Sequence, residues 1–187
     1  GINSFYSCSR FIGDIILPDS ISTIHENAFS GCLGFNGVLH LPNNLKIIEN
    51  AAFTRCRNLQ GDLRIPDGVV SIGTNAFSSC GFNGTLTIPN SVTTLGEGSF
   101  MSCSSLKGDL IIPEQITELP NQVFSGIGCD GLLKLPSNLK IIGDRSLQIT
   151  KIQTELVIPP SVTYIGSAAF QRTLFNGNII IPSCVTT

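Results

Sequence analysis

Five of the seven cysteines in this chain recur at nearly fixed spacing, as Cys8, Cys32, Cys56, Cys80 and Cys103. Thiols on such a grid can pair as disulfides, ligate zinc, or lie buried as small side chains. In a stack of repeats the five form one row, with neighbours about 4.8 Å apart. A disulfide also needs Cβ atoms converging to about 3.8 Å, and parallel side chains in a row do not converge. Zinc needs four ligands around one point, whereas a row supplies two at most and no histidine column runs beside it. The spacing therefore predicts free, buried thiols acting as small apolar residues, and Ile127 in the next position of the column agrees with that. Cys129 falls in an apolar column and reads the same way, while Cys184, near the end of the chain, is free to be exposed. Neither the odd count nor a buried row assigns a redox compartment.

Other reactive groups do not converge. His25 and His40 are the only imidazoles, and neither recurs. His25, next to Glu26, reads as a solvated turn residue, and His40, one unit from Arg64, as an outward residue on a strand. Asp14, Asp62 and Asp109 share a column but are separated by Val38 and Thr85, so the adjacent carboxylates of acid–base chemistry are missing. The phosphate-loop and HExxH patterns are absent as well. The expectation is a non-enzymatic protein without cofactor or metal. Charged residues make up 13% of the chain and the net charge is −2, which gives no basic field for nucleic acid. No apolar run approaches the roughly 18 residues of a membrane helix, so no direct membrane insertion is expected. One glycosylation sequon, Asn83-Gly84-Thr85, counts only if the source is a secreting eukaryote.

What would position these side chains is a repeat. Pro18, Pro42, Pro66, Pro89, Pro113, Pro136, Pro159 and Pro182 stand 23 or 24 residues apart. A glycine column precedes them at Gly13, Gly37, Gly61, Gly84, Gly108, Gly131 and Gly177, with Thr154 once in its place. A large apolar column follows, through Phe29, Phe53, Phe77, Phe100, Phe124, Leu147 and Phe170. The length variation falls between the cysteine column and the next apolar residue, which marks a surface loop. In Gly84-Thr85-Leu86-Thr87-Ile88-Pro89, alternation of period two predicts a strand with Leu86 and Ile88 inward and Thr85 and Thr87 outward. The proline, lacking an N–H, ends it. Val92 and Leu95 make a second inward pair, followed by a brief helical or 3₁₀ turn ending in Phe100. The residue before that Phe is small in most units, as though the turn packs against a neighbouring backbone. A single unit cannot cover its own apolar side chains, so the units must stack.

The strings IPNSVTTLGEGSFMSC (88–103), LPDSISTIHENAFSGC (17–32) and IPDGVVSIGTNAFSSC (65–80) resemble the BspA-like, treponemal-type leucine-rich repeat, roughly IPxSVTxIGxxAFxxC. The resemblance covers essentially the whole chain and departs from the pattern at Leu147 and Thr150. It implies a repeat solenoid of the α/β leucine-rich-repeat class: a right-handed, curved superhelix with a short-strand parallel sheet on one face. The other face would carry second short strands and the brief helical or 3₁₀ turns. One solenoid is expected over 1–187, truncated at both ends. Partial repeat 1–12 is followed by 13–36, 37–60, 61–83, 84–107, 108–130, 131–153 and 154–176, then partial repeat 177–187. Members of the family are similar in being surface or secreted adhesins of bacteria and protists, and not enzymes.

Binding would fall on the outward positions of the main strand, which vary where the inward ones are nearly fixed. The candidate partner-binding residues are His40, Arg64, Thr87, Ile111, Leu132, Lys134, Val157 and Ile180. Ile111, Leu132, Val157 and Ile180 would form an apolar stripe, which reads either as a contact surface or as the ordinary preference of pleated surfaces for such residues. The expected function is protein or glycan binding at the cell surface or after secretion, with host extracellular matrix as a candidate partner. The alternative is an intracellular, cytoplasmic scaffold or structural assembly, and end-to-end self-association is open to either.

Overall fold

The computed structural model describes residues 1–186, and in it each proline-marked stretch forms one coil of a stacked array. Every coil from Pro18 to Pro136 carries two strands of two residues. The main strands precede the prolines: β1 (Ile15–Ile16), β3 (Leu39–His40), β5 (Leu63–Arg64), β7 (Leu86–Thr87), β9 (Leu110–Ile111) and β11 (Leu133–Lys134). The second strands follow them: β2 (Thr23–Ile24), β4 (Ile47–Ile48), β6 (Ser71–Ile72), β8 (Thr94–Leu95), β10 (Glu118–Leu119), β12 (Ile141–Ile142) and β13 (Tyr164–Ile165). All pairings are parallel, between successive coils. Each main strand buries its first residue and exposes its second.

The expected helical or 3₁₀ turns, and with them the α/β class, are not what forms: the described residues contain no helix. The stretch ending in the Phe column is a run of turns in which every fourth residue is left-handed. Asn27, Ala51, Asn75, Gly98, Gln122 and Arg145 take φ of 53° to 59°, and Gly31, Arg55, Ser79, Ser102, Gly126 and Ile149 take 57° to 72°. A helix requires an unbroken right-handed backbone with each N–H bonded four residues back. Here the N–H groups alternate instead. Ala28 and Ser30 donate three residues back to His25 and Asn27, whereas Asn27, Phe29 and Gly31 donate along the stack to Asn50, Ala52 and Thr54. A left-handed non-glycine residue costs about 1–2 kcal/mol. That cost is offset by the bond each such residue gives the next coil, as Ala51 N–H to Thr74 O at 2.8 Å. The fold is an all-parallel β-solenoid.

The Phe column fills its centre. Phe5, Phe29, Phe53, Phe77, Phe100 and Phe124 stack ring on ring, with centroids 5.0, 5.3, 5.4, 5.7 and 5.5 Å apart. Ala52 and Ala76, the small residues before Phe53 and Phe77, are fully enclosed beside this file.

Main-strand pairing alternates. β1 pairs with β3, β5 with β7, and β9 with β11, but β3 does not pair with β5, nor β7 with β9. Those junctions keep only the bridges Val38↔Gln60 and Thr85↔Lys107. The glycine column explains this, because it serves two purposes in turn. Gly13, Gly61 and Gly108 are left-handed, at φ 87°, 78° and 76°, where glycine alone is unstrained. Gly37, Gly84 and Gly131 are not, and a Cβ on them would lie 2.0, 2.3 and 2.2 Å from Oδ1 of Asp14, Asp62 and Asp109. Those oxygens accept the N–H groups of Val38, Thr85 and Leu132 at 2.7, 2.8 and 2.8 Å. In return Asn36, Asn83 and Asp130 accept the N–H groups of Gly13, Gly61 and Gly108 at 2.9, 2.8 and 2.9 Å. Coils are thus locked in twos. The alternation slips where Thr154 replaces glycine: its Oγ1 is buried without a partner, and on the main side the next coil pairs through the isolated bridge Glu155↔Asn176.

The second strands form a continuous ladder β2-β4-β6-β8 and then β10-β12-β13. Its rungs include the N–H groups of Glu49, Gly73, Gly96, Gly143 and Gly166, donated to Ile24, Ile48, Ile72, Leu119 and Ile142 at 2.7–2.9 Å. Pro120 stands in that column without an N–H, and the ladder is cut between β8 and β10.

Candidate functional site: the main-strand face

His40, Arg64, Thr87, Ile111, Leu132, Lys134, Val157 and Ile180 are all exposed. Their neighbours in register are not a single row. Lys134 lies directly beside Ile111, so the apolar stripe is interrupted, and Leu132 sits in the other column, beside the Asp109 cap. Val157 and Ile180 are 71% and 78% exposed and lie outside the ladder strands. The charged members are held by carboxylates: Arg64 by Asp62 at 2.8 Å, Lys134 by Glu114 at 3.5 Å, and His40 faces Asp14 at 3.8 Å.

Where main strands are unpaired, the face opens into grooves. One of about 530 Å³ lies between β3 and β5, with His40, Asp62 and Arg64 on its walls. Another of about 320 Å³ lies between β7 and β9, walled by Thr85, Thr87, Asp109 and Ile111. Both arise at junctions that the aspartate caps do not close. The alternation of Gly-Asp with Gly-Val, Gly-Thr or Gly-Leu is visible in the sequence and is the signal that locates them.

The Asp62 caps are electrostatically active. The Thr85 N–H on its carboxylate, and Arg64 after it, pull the Asp62 pKa from 3.8 down to about 2. Because the folded carboxyl is the stronger acid, its contribution is complete above pH about 4 and is lost as pH falls through about 2. The melting temperature is expected to fall over that window. Asp62→Asn keeps an acceptor oxygen but cannot titrate, so its acid limb should be shallower; a limb identical to the parent's would refute the assignment. Glu114 is held low in the same way, by the Ser137 N–H and then hydroxyl.

His25, expected to be a solvated residue beside Glu26, has a side chain 45% exposed and also meets Glu49 of the next coil, Nδ1 to Oε2 at 3.3 Å. The same Oε2 accepts the Glu26 N–H at 2.9 Å. The thiol row is more than apolar filling. Cys32, Cys56, Cys80 and Cys103 donate Sγ–H to the carbonyls of Phe5, Phe29, Phe53 and Phe77 at 2.9–3.1 Å. Burial pushes the Cys32 thiol up to about 11 and Cys103 up to about 12, and raises Cys80 also. Thiolate chemistry is therefore suppressed at these three. In the native chain, maleimide at pH 8 should label exposed Cys184 quickly and half-buried Cys8 more slowly, and the other five only after denaturation, read by intact mass. No group of three or more metal-ligating side chains gathers among the described residues.

A stack of parallel coils with an exposed, grooved strand face and five of its seven thiols buried is a repeat scaffold of the solenoid class. The chain belongs to the family described as BspA type leucine rich repeat region, matched over residues 1–132 and 132–187. A leucine-rich repeat protein from Bacteroides ovatus is similar over 100% of this chain and 47% of its own, at 34% identity and TM-score 0.86. The T. pallidum leucine rich repeat protein is similar over 75% of this chain and 64% of its own, at 30% identity and TM-score 0.66. A leucine rich cell surface protein from Faecalibacterium prausnitzii shares the fold at 22% identity, over 94% of this chain and 62% of its own, with TM-score 0.57. The chain thus spans about half to two thirds of these relatives. No curated protein matches it. Repeats of the BspA type are typically non-catalytic scaffolds.

Proposed function

We propose that the main-strand face is a recognition surface for a protein or glycan partner at the cell exterior, with components of host extracellular matrix as the first candidates. The observation that carries this reading is the contrast between the two sides of each strand. Leu39, Leu63, Leu86, Leu110 and Leu133 are buried alike, while their successors His40, Arg64, Thr87, Ile111 and Lys134 are exposed and differ in charge and shape. Packing explains the uniform set and leaves the varied set to contact. BspA-type proteins are typically surface-associated, which supports the exterior placement. Binding is tested by immobilising the chain against purified matrix proteins and glycans. The double variant Arg64→Glu with Lys134→Glu should weaken capture about tenfold, equivalent to ~1.4 kcal/mol. Its melting temperature should stay close to the parent's, since exposed ion pairs contribute little to stability. Capture unchanged by both reversals would move the site off this face.

A further inference from the structure

The coils of Pro89 and Pro113 are joined differently from every other neighbouring pair between Pro18 and Pro159. Each of the other junctions has at least one ladder intact. β1–β3, β5–β7 and β9–β11 hold alternate junctions on the main side, and β4–β6 and β12–β13 hold the uncapped ones on the second side. Between Pro89 and Pro113 both are cut: β7 does not pair with β9, and β8 does not pair with β10. Two separate causes coincide there. The first is the two-coil alternation, which leaves only the Thr85↔Lys107 bridge. The second is Pro120, which cannot supply the rung that Gly96 and Gly143 give at 2.7 and 2.8 Å.

The third side of the same junction is whole. Gly98, Phe100 and Ser102 donate to Asn121, Val123 and Ser125 at 3.0, 3.0 and 2.7 Å, and Phe100 stacks on Phe124 at 5.5 Å. A junction tied along one edge and released along the other two has a pivot. We propose that this junction is a hinge built into the array, turning about the Phe100–Phe124 turn stack. Opening it separates β7 from β9 and widens the groove between Thr87 and Ile111. The chain then consists of two stiffer blocks, and the angle between their strand faces is adjustable, whatever ligand the face takes.

Amide hydrogen exchange on the chain tests this directly. Amides of Thr117 and Glu118, which face the Pro89 coil, should exchange at least about tenfold faster than their counterparts Thr93 and Thr94, bonded to Val70, and Lys140 and Ile141, bonded to Thr117, while Phe100 and Ser102 remain protected as the pivot. The variant Pro120→Gly restores the N–H that the column carries elsewhere. It should slow exchange at Thr117 and Glu118 by about tenfold and leave Thr93 and Thr94 unchanged. Equal protection across all junctions in the parent chain overturns the hinge. Loss of protection at Phe100 and Ser102 together with the strands also overturns it, because that is general fraying. Unaltered exchange in a folded Pro120→Gly chain removes Pro120 as its cause.

Discussion

Replacing Phe77 with alanine is expected to cost about 3–5 kcal/mol, the usual range for a fully buried phenylalanine. The ring has no exposure, stacks on Phe53 at 5.4 Å and 3°, on Phe100 at 5.7 Å and 10°, and meets Phe82 edge-on at 6.3 Å. Its removal weakens two junctions at once, since a coil in a stacked array is held only by its neighbours. The neighbours cannot collapse into the space, because their backbones are fixed by the N–H bonds from Phe53 to Ala76 and from Phe77 to Ser99, both 2.8 Å. Urea unfolding should therefore show a lower midpoint and a less cooperative transition, as the blocks on either side begin to unfold separately. Phe5→Ala, at a ring 41% exposed, is the control and should lose less than half as much. Equal losses at the two positions would mean that the stacked file is not what holds the array.

The second large effect separates two glycines of one column. Gly84→Ala places a Cβ 2.3 Å from Asp62 Oδ1 and 2.8 Å from its backbone N, so the coils must part or the cap must leave. Overpacking of this kind costs about 1–3 kcal/mol, and the N–H bond to Thr85 is lost with the displaced carboxylate. Gly108→Ala meets nothing nearer than Thr85 Cγ2 at 3.5 Å; its penalty comes from φ 76°, about 1–2 kcal/mol. Asparagine distinguishes the two causes, since it tolerates the left-handed region but is larger than alanine. Gly108→Asn should recover part of the loss seen with alanine, and Gly84→Asn should be worse than Gly84→Ala. Thermal melts of the four variants check the order. The same ranking at both positions would contradict the alternation of left-handed and crowded glycines.

Much of the molecule is legible in the columns. Alternation along Gly84 to Pro89 places Leu86 inside and Thr87 outside, and the columns from Phe29 to Phe124 and from Cys32 to Cys103 lie in the core, while Cys8 and Phe170, nearer the ends of the stack, are only partly buried. The helical turn before Phe100 is the clear miss. Small residues such as Ala76 and Ser99 read as helix formers or turn residues alike, and nothing in side-chain pattern reveals that Asn75 and Ser79 are left-handed. Their conformation is selected by bonds to Glu97 and Met101 of the next coil, at 2.8 and 2.7 Å. The His25 contact is hidden for a related reason: its partner Glu49 is 24 positions away and one coil over. Pro120 stands off the 23–24-residue period of the other prolines in its neighbourhood. Its meaning emerges only when the column it shares with Gly96 is seen to supply ladder bonds.

The sequence by itself determined the repeat, its length, the inward and outward sides of each strand, and the apolar file that makes stacking obligatory. All of these are set within one unit, by side-chain periodicity and the dihedral limits of proline and glycine. The sequence carries the alternation of Gly-Asp with Gly-Val, Gly-Thr or Gly-Leu, but only tertiary structure decided that this locks the coils in twos, that grooves open at the uncapped junctions, and that both ladders lapse together beside Pro120. Those properties belong to hydrogen bonds between neighbouring coils. A backbone N–H carries no mark in the sequence of which way along the stack it will point.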